Sequence, residues 1–124
     1  ILAEISAGEL IDKITILEIK KIKIRNEEKL KEVEKELLSL NDTLKKTIPD
    51  KSKIQTLIDK LKTINLKLWD IENGKRLAEK NSDFGEKFIE LARSVYKTND
   101  ERSKLKLEIN NILGSNIKEV KSHY

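Results

Sequence analysis

Leucine, isoleucine and valine recur through most of this chain at alternating steps of three and four residues. The ladder reads Leu30, Val33, Leu37, Leu40, Leu44, then Ile54, Leu57, Leu61, Ile64, Leu68, Ile71, then Phe88, Leu91, Val95, and later Leu105, Ile109, Ile112. That spacing lays an apolar stripe along one side of an α-helix, and such a stripe is buried by helices packed nearly parallel or antiparallel. The pattern predicts an all-α fold, an antiparallel helical bundle with a long coiled-coil-like helical hairpin. The last ladder fails at one place, where Thr98 and Arg102 fall on core positions. A small polar spot is therefore expected inside the bundle.

Cap signals divide the ladder into elements of a single helical domain over residues 1–124. Ser6, with Glu9 three positions on, is a capping box, so helix 1 is expected over about 7–24. This segment is apolar around much of its circumference, with Leu10, Ile11, Ile14, Ile16, Leu17, Ile19, Ile22 and Ile24, which suits a central helix. Arg25-Asn26-Glu27 interrupts it, and Asn26 is a candidate cap. Helix 2 is expected over about 27–46, a turn at Thr47-Ile48-Pro49-Asp50 with Asp50 as cap, and helix 3 over about 51–80. Helices 2 and 3 are expected to pair as the hairpin. The spacing of Trp69, Glu72 and Arg76 carries helix 3 through Gly74, at a cost of about 1 kcal/mol. A second capping box, Asp83 to Glu86, opens helix 4 over about 84–113, and Gly114 closes it. Thr98 to Glu101 is a third such box, but the ladder keeps its phase across it, so one continuous helix is favoured. Residues 115–124 are expected to be irregular.

Composition narrows the classes of function. Of 124 residues, 37% are hydrophobic and 39% charged, and the apolar ones are periodic, which excludes disorder. There is no cysteine, so there is no disulfide framework and no thiolate chemistry. No apolar run approaches the ~20 residues of a membrane span. No signal-like segment opens the chain, which points to the cytoplasm. The chain begins at Ile1 without methionine, so at least a start residue is expected upstream. The net charge is +4, from 26 Lys and Arg against 22 Asp and Glu, and lysine outnumbers arginine 22 to 4, the pattern of an AT-rich genome. The arginines that persist, Arg25, Arg76, Arg93 and Arg102, are then the ones expected where a planar, multi-donor head is needed.

Four stretches together carry a family resemblance: GELIDKITILEIK (8–20), LWDIE (68–72), FIELARSVYKTND (88–100) and EVKSHY (119–124). They resemble a family of small uncharacterised bacterial and phage helical proteins, a domain of unknown function. The resemblance spans nearly the whole chain. It implies a complete, stand-alone domain and lends no activity. A second resemblance is to the all-helical chorismate mutases, whose first helix also carries an Ile-Asp pair in a leucine-rich run. Those enzymes clamp two carboxylates with arginines and a lysine, and helix 1 here has no arginine before Arg25.

The candidate site residues follow from the break in the ladder. Glu18 falls inside the apolar arc of helix 1 beside Thr15, and a carboxylate there must find a partner. An ion pair between Glu18 and Arg102 is expected, with Thr15, Thr98 and Asn99 completing the hydrogen bonds. It either fixes helix register or forms a pocket for a small anion. Trp69 lies one step off the helix 3 ladder, and Arg93 and Tyr96 share a face of helix 4. All three are candidates for ligand or partner contact. Lys53, Lys60 and Lys67 form a heptad stripe, expected to be the solvated flank of the hairpin with Glu36 facing Lys60. Read instead as a basic patch it would bind nucleic acid or an acidic membrane, but no arginine or aromatic interleaves it. His123 stands alone, so zinc is excluded. No glycine-rich phosphate loop or activated nucleophile is present, and no cofactor, metal or catalytic residue is expected.

Three functions remain, in order. The first is a non-enzymatic helical interaction module, binding a copy of itself or a larger protein partner. The second is a binder of a small anionic metabolite at the polar spot between helices 1 and 4. The third is a chorismate-mutase-like enzyme.

Overall fold

A computed structural model describes residues 1–122; His123, the sole histidine, and Tyr124, which ends the fourth stretch above, lie outside the described residues. Four helices make up the fold: α1 (Ala7–Lys23), α2 (Glu27–Thr47), α3 (Gln55–Lys80) and α4 (Glu86–Leu113). The protein is an all-α packed helical bundle. None of these helices is long and apolar enough to cross a membrane.

Local chemistry sets most of the ends. Ser6 Oγ accepts from Glu9 N at 3.1 Å and starts α1. The chain turns extended at Ile24, and Asn26 Oδ1 accepts from Lys29 N at 3.0 Å to start α2. α4 runs unbroken through Thr98–Glu101 and stops at Gly114, whose φ of 64° is the left-handed conformation that glycine adopts without strain. Two caps differ from expectation. Asp50 accepts from Ser52 N at 2.9 Å, which tightens a turn instead of capping a helix, so α3 begins only at Gln55. Asp83 likewise turns onto Gly85 N at 3.3 Å, and α4 begins at Glu86. In both places the aspartate satisfies a donor two residues on, the Asx turn that competes with the helical cap.

The core gathers around α1. Leu10, Ile11, Ile14 and Leu17 pack with Val33, Leu37 and Leu44 of α2, with Ile54, Leu57 and Leu61 at the start of α3, and with Ile109 of α4. Burying each such side chain is worth about 1.5–3 kcal/mol. α1 packs against each of the other three helices, and α3 packs most extensively against α4. The expected α2–α3 hairpin does not form: these helices make no close backbone approach. The reason is α1 itself. A helix apolar over most of its circumference needs neighbours on several sides, so it takes the middle and holds α2 and α3 apart.

The core takes no residue between Leu61 and Leu105. From Leu66 to Lys97 only Ile71 is buried. This outer stretch of the α3–α4 pair holds together through narrow contacts. Gly74 lies against Leu91, and Phe84 meets Phe88 edge to face at 5.3 Å.

Candidate functional site

The register between α1 and α4 builds the site. The two helices meet in steps of four residues: Gly8 against Asn110, Glu9 against Lys106, Asp12 against Arg102. Gly8 permits the close approach. Its N donates to Asn110 Oδ1 at 2.6 Å, and a Cβ there would stand 2.5 Å from the Lys106 carbonyl oxygen.

Asp12 is the centre, with no surface exposed to water. Arg102 grips it with two bonds, Nε to Oδ1 at 2.9 Å and Nη2 to Oδ2. Asn65 of α3 donates to Asp12 Oδ1 at 2.9 Å and to Thr15 Oγ1 at 2.8 Å, and Thr15 Oγ1 donates to the Asp12 carbonyl at 2.8 Å. Lys106, itself buried, donates to Glu9 at 2.7 Å and stands 4.0 Å from Asp12 Oδ2. Thr98 is 1% exposed, one turn from Arg102. Among the described residues no buried side-chain nitrogen or oxygen lacks a partner. This carboxylate, fully buried and bonded to side chains of α3 and α4, ties three helices together.

The electrostatics agree. The hydrogen bonds from Arg102 to Asp12 hold the guanidinium above its ordinary range, against the opposing effect of burial. Burial pulls Lys106 down, but its bonds to Glu119 and Glu9 outweigh that and raise it. Glu119 is lowered, chiefly by its bond from Lys106.

Glu119 belongs to a strap formed by the residues after α4. Ser115 Oγ accepts from Ala7 N at 3.2 Å and donates to the Ile117 carbonyl at 2.8 Å. Lys118 donates to Asn111, Glu119 accepts from Lys106 and Lys121 pairs with Asp100, at 2.8, 2.8 and 2.9 Å. Beneath the strap lies a polar cavity of about 370 Å³, walled by Asn99, Arg102, Ser103 and Lys106 on one side and by residues 119–122 on the other.

The sequence-derived candidates separate into groups. Thr15, Asn99 and Arg102 do meet around one centre, with Asn99 accepting a long 3.4 Å bond from Arg102, and Thr98 is buried one turn before Arg102 on α4. The Glu18–Arg102 pair does not form. Glu18 lies six residues beyond Asp12, roughly 9 Å farther along the helix axis, and pairs with Lys62 at 3.0 Å. It opens onto a cleft lined by Asn41 of α2 and by Gln55 and Lys62 of the α3 side, the gap left because α2 and α3 stand apart. Trp69, Arg93 and Tyr96 sit on the outer α3–α4 stretch, with Trp69 half-buried and the other two exposed. Lys53, Lys60 and Lys67 are exposed, and Lys60 lies in a groove with Glu101 and Glu108 of α4, away from Glu36. Among the described residues no three His, Asp or Glu side chains gather as metal ligands would.

Asp12, Asn65, Lys106 and Asn110 were not anticipated. A signal existed for two of them: Thr98, Arg102, Lys106 and Asn110 recur at four-residue steps, one polar stripe down α4.

Comparison with known proteins gives a family and no activity. A family of unknown function, DUF6165, matches residues 1–124, and the chain belongs to it. No curated protein and no solved structure matches the chain.

Proposed function

As a member of a family of unknown function the chain inherits no activity, and we propose from its own geometry that it is a helical interaction module that pairs with a second copy of itself. The observation that carries this is the outer α3–α4 stretch. Between Leu61 and Leu105 its one buried hydrophobic residue is Ile71, outside the central cluster, yet it leaves Leu77, Phe84, Ile89 and Tyr96 exposed and Trp69 and Leu91 half-buried. Two helices alone cannot cover both their apolar flanks, and a second pair of helices would. Aromatic side chains such as Trp69 and Tyr96 are the usual anchors of such contacts.

Charge favours a copy over other partners. Between Leu66 and Lys97 there are seven Lys and Arg against six Asp and Glu, so two such surfaces meet without strong mutual repulsion. A nucleic-acid partner would call for a basic face, and the lysine stripe at Lys53, Lys60 and Lys67 has Glu101 and Glu108 across the groove from Lys60. A chorismate-mutase-like reaction, which needs a clamp for two carboxylates at once, gains no support, because the two cations of the polar centre face three carboxylates of the chain itself, Asp12, Glu9 and Glu119.

Sedimentation equilibrium over a wide range of protein concentration tests the proposal. A dimer is expected, and Leu77→Glu with Ile89→Glu should make it monomeric while leaving helical content intact. Strictly monomeric behaviour of the unmodified chain at the highest concentrations would overturn it.

A further inference from the structure

We propose that the cavity under the C-terminal strap is a seat for one small organic carboxylate, and that Glu119 occupies that seat in the unliganded chain. This is independent of self-pairing, since none of the residues involved lies on the outer α3–α4 stretch proposed to dimerise. The cavity, about 370 Å³, falls within the size range of small-molecule sites. Its floor is rich in donors. Lys106 Nζ presents a nearly buried ammonium. Ser103 adds a hydroxyl. Arg102 spends Nε and Nη2 on Asp12 but uses Nη1 only in a long 3.4 Å bond to Asn99.

The carboxylate now in place arrives from the strap and from nowhere else. Glu9 and Asp12 are built into α1, whereas Glu119 reaches Lys106 at 2.8 Å from a segment outside the helices. The strap's polar holds on the body run from Ser115, Lys118, Glu119 and Lys121, and its apolar side chains Ile117 and Val120 stay exposed. Glu119 is 61% exposed on its own side of the pair with Lys106, so a free carboxylate can compete for Lys106. Local charge narrows the class further. Asp12 and Glu9 already offset Arg102 and Lys106, leaving no surplus to attract a multiply charged phosphate.

Titration with butyrate, a monocarboxylate with the reach of a glutamate side chain, followed by amide chemical shifts at constant ionic strength, tests this. Butyrate should saturate the wild-type chain weakly and Glu119→Gln several-fold more tightly, because the internal competitor is gone. The shifted amides should be those of Asn99–Lys106 and the strap. Inorganic phosphate should bind more weakly than butyrate in both proteins. In the Glu119→Gln background, Lys106→Gln should abolish binding. Should that variant fail to fold, Ser103→Asp puts a negative charge on the cavity wall without touching the buried network and should abolish binding too. The proposal falls if Glu119→Gln binds butyrate no more tightly than wild type, if Ser103→Asp leaves binding unchanged, or if phosphate binds as tightly.

Discussion

Removing Arg102 strands a carboxylate that has no contact with water. Arg102→Leu is therefore expected to cost about 3–5 kcal/mol in urea denaturation. Asp12→Leu together with Arg102→Leu should recover much of that, because two leucines extend apolar surface already present on α1 and α4. Glu18→Leu should change stability by less than about 1 kcal/mol, since its pair with Lys62 is close to two-fifths exposed on both sides. The same measurement separates Gly8 from an ordinary helical glycine. Gly8→Ala must push backbone apart, with 2.5 Å to the Lys106 carbonyl, and should destabilise by about 1–3 kcal/mol. The polar break was legible on α4, where Thr98 and Arg102 replace apolar residues in phase. Its partner was not. Asp12 and Glu18 are both carboxylates on an apolar helix, and which one meets Arg102 depends on how far α1 slides along α4. That register is fixed by the Gly8–Asn110 approach, a contact that periodicity within one helix does not encode.

Element lengths were largely legible, because ladders and caps act within a few residues of sequence. Their pairing was less so. Adjacent ladders at 30–44 and 54–71 suggest a hairpin, but the competition is settled by α1, whose extra apolar flank takes both. Within α3, Gly74 has a different standing from Gly8. A Cβ there would meet only the Leu91 side chain, at 3.1 Å, and that side chain is half-buried and free to turn. Gly74→Ala is expected to be neutral or to stabilise thermally by up to about 1 kcal/mol, the gain in helix propensity. The strap carries a pH dependence. Glu119 is lowered in the folded chain by Lys106, so its contribution is fully present above the ordinary carboxylate pKa and is lost as pH falls through the lowered value. Lys106 and Arg102 of α4 favour its charge, while Asp12 of α1 opposes it. Amide chemical shifts at residues 117–121 should therefore move towards random-coil values as pH falls through that range, and Glu119→Gln should show such values already at neutral pH.

At the scale of the whole molecule the bundle has one hub. α1 packs on every other helix, α3 and α4 also pack on each other, and α2 comes close to α1 alone. The outer α3–α4 stretch is the part least supported from within, which is why self-pairing is placed there. Native-state hydrogen exchange should rank the parts accordingly. α2 should open at a lower free energy than the helices around Asp12, and the α1 amides should exchange only with global unfolding. The all-helical class was plain from spacing alone, whereas this unequal arrangement depends on contacts between elements far apart in the chain. Seen as a graph, the fold is a triangle with one pendant vertex. Cutting the pendant edge leaves the triangle whole, so substitutions spread through α2 are screened by selection only for how they meet a single neighbour. Substitutions on α1 answer to three neighbours at once, and the room for neutral drift should differ between the two helices in the same proportion.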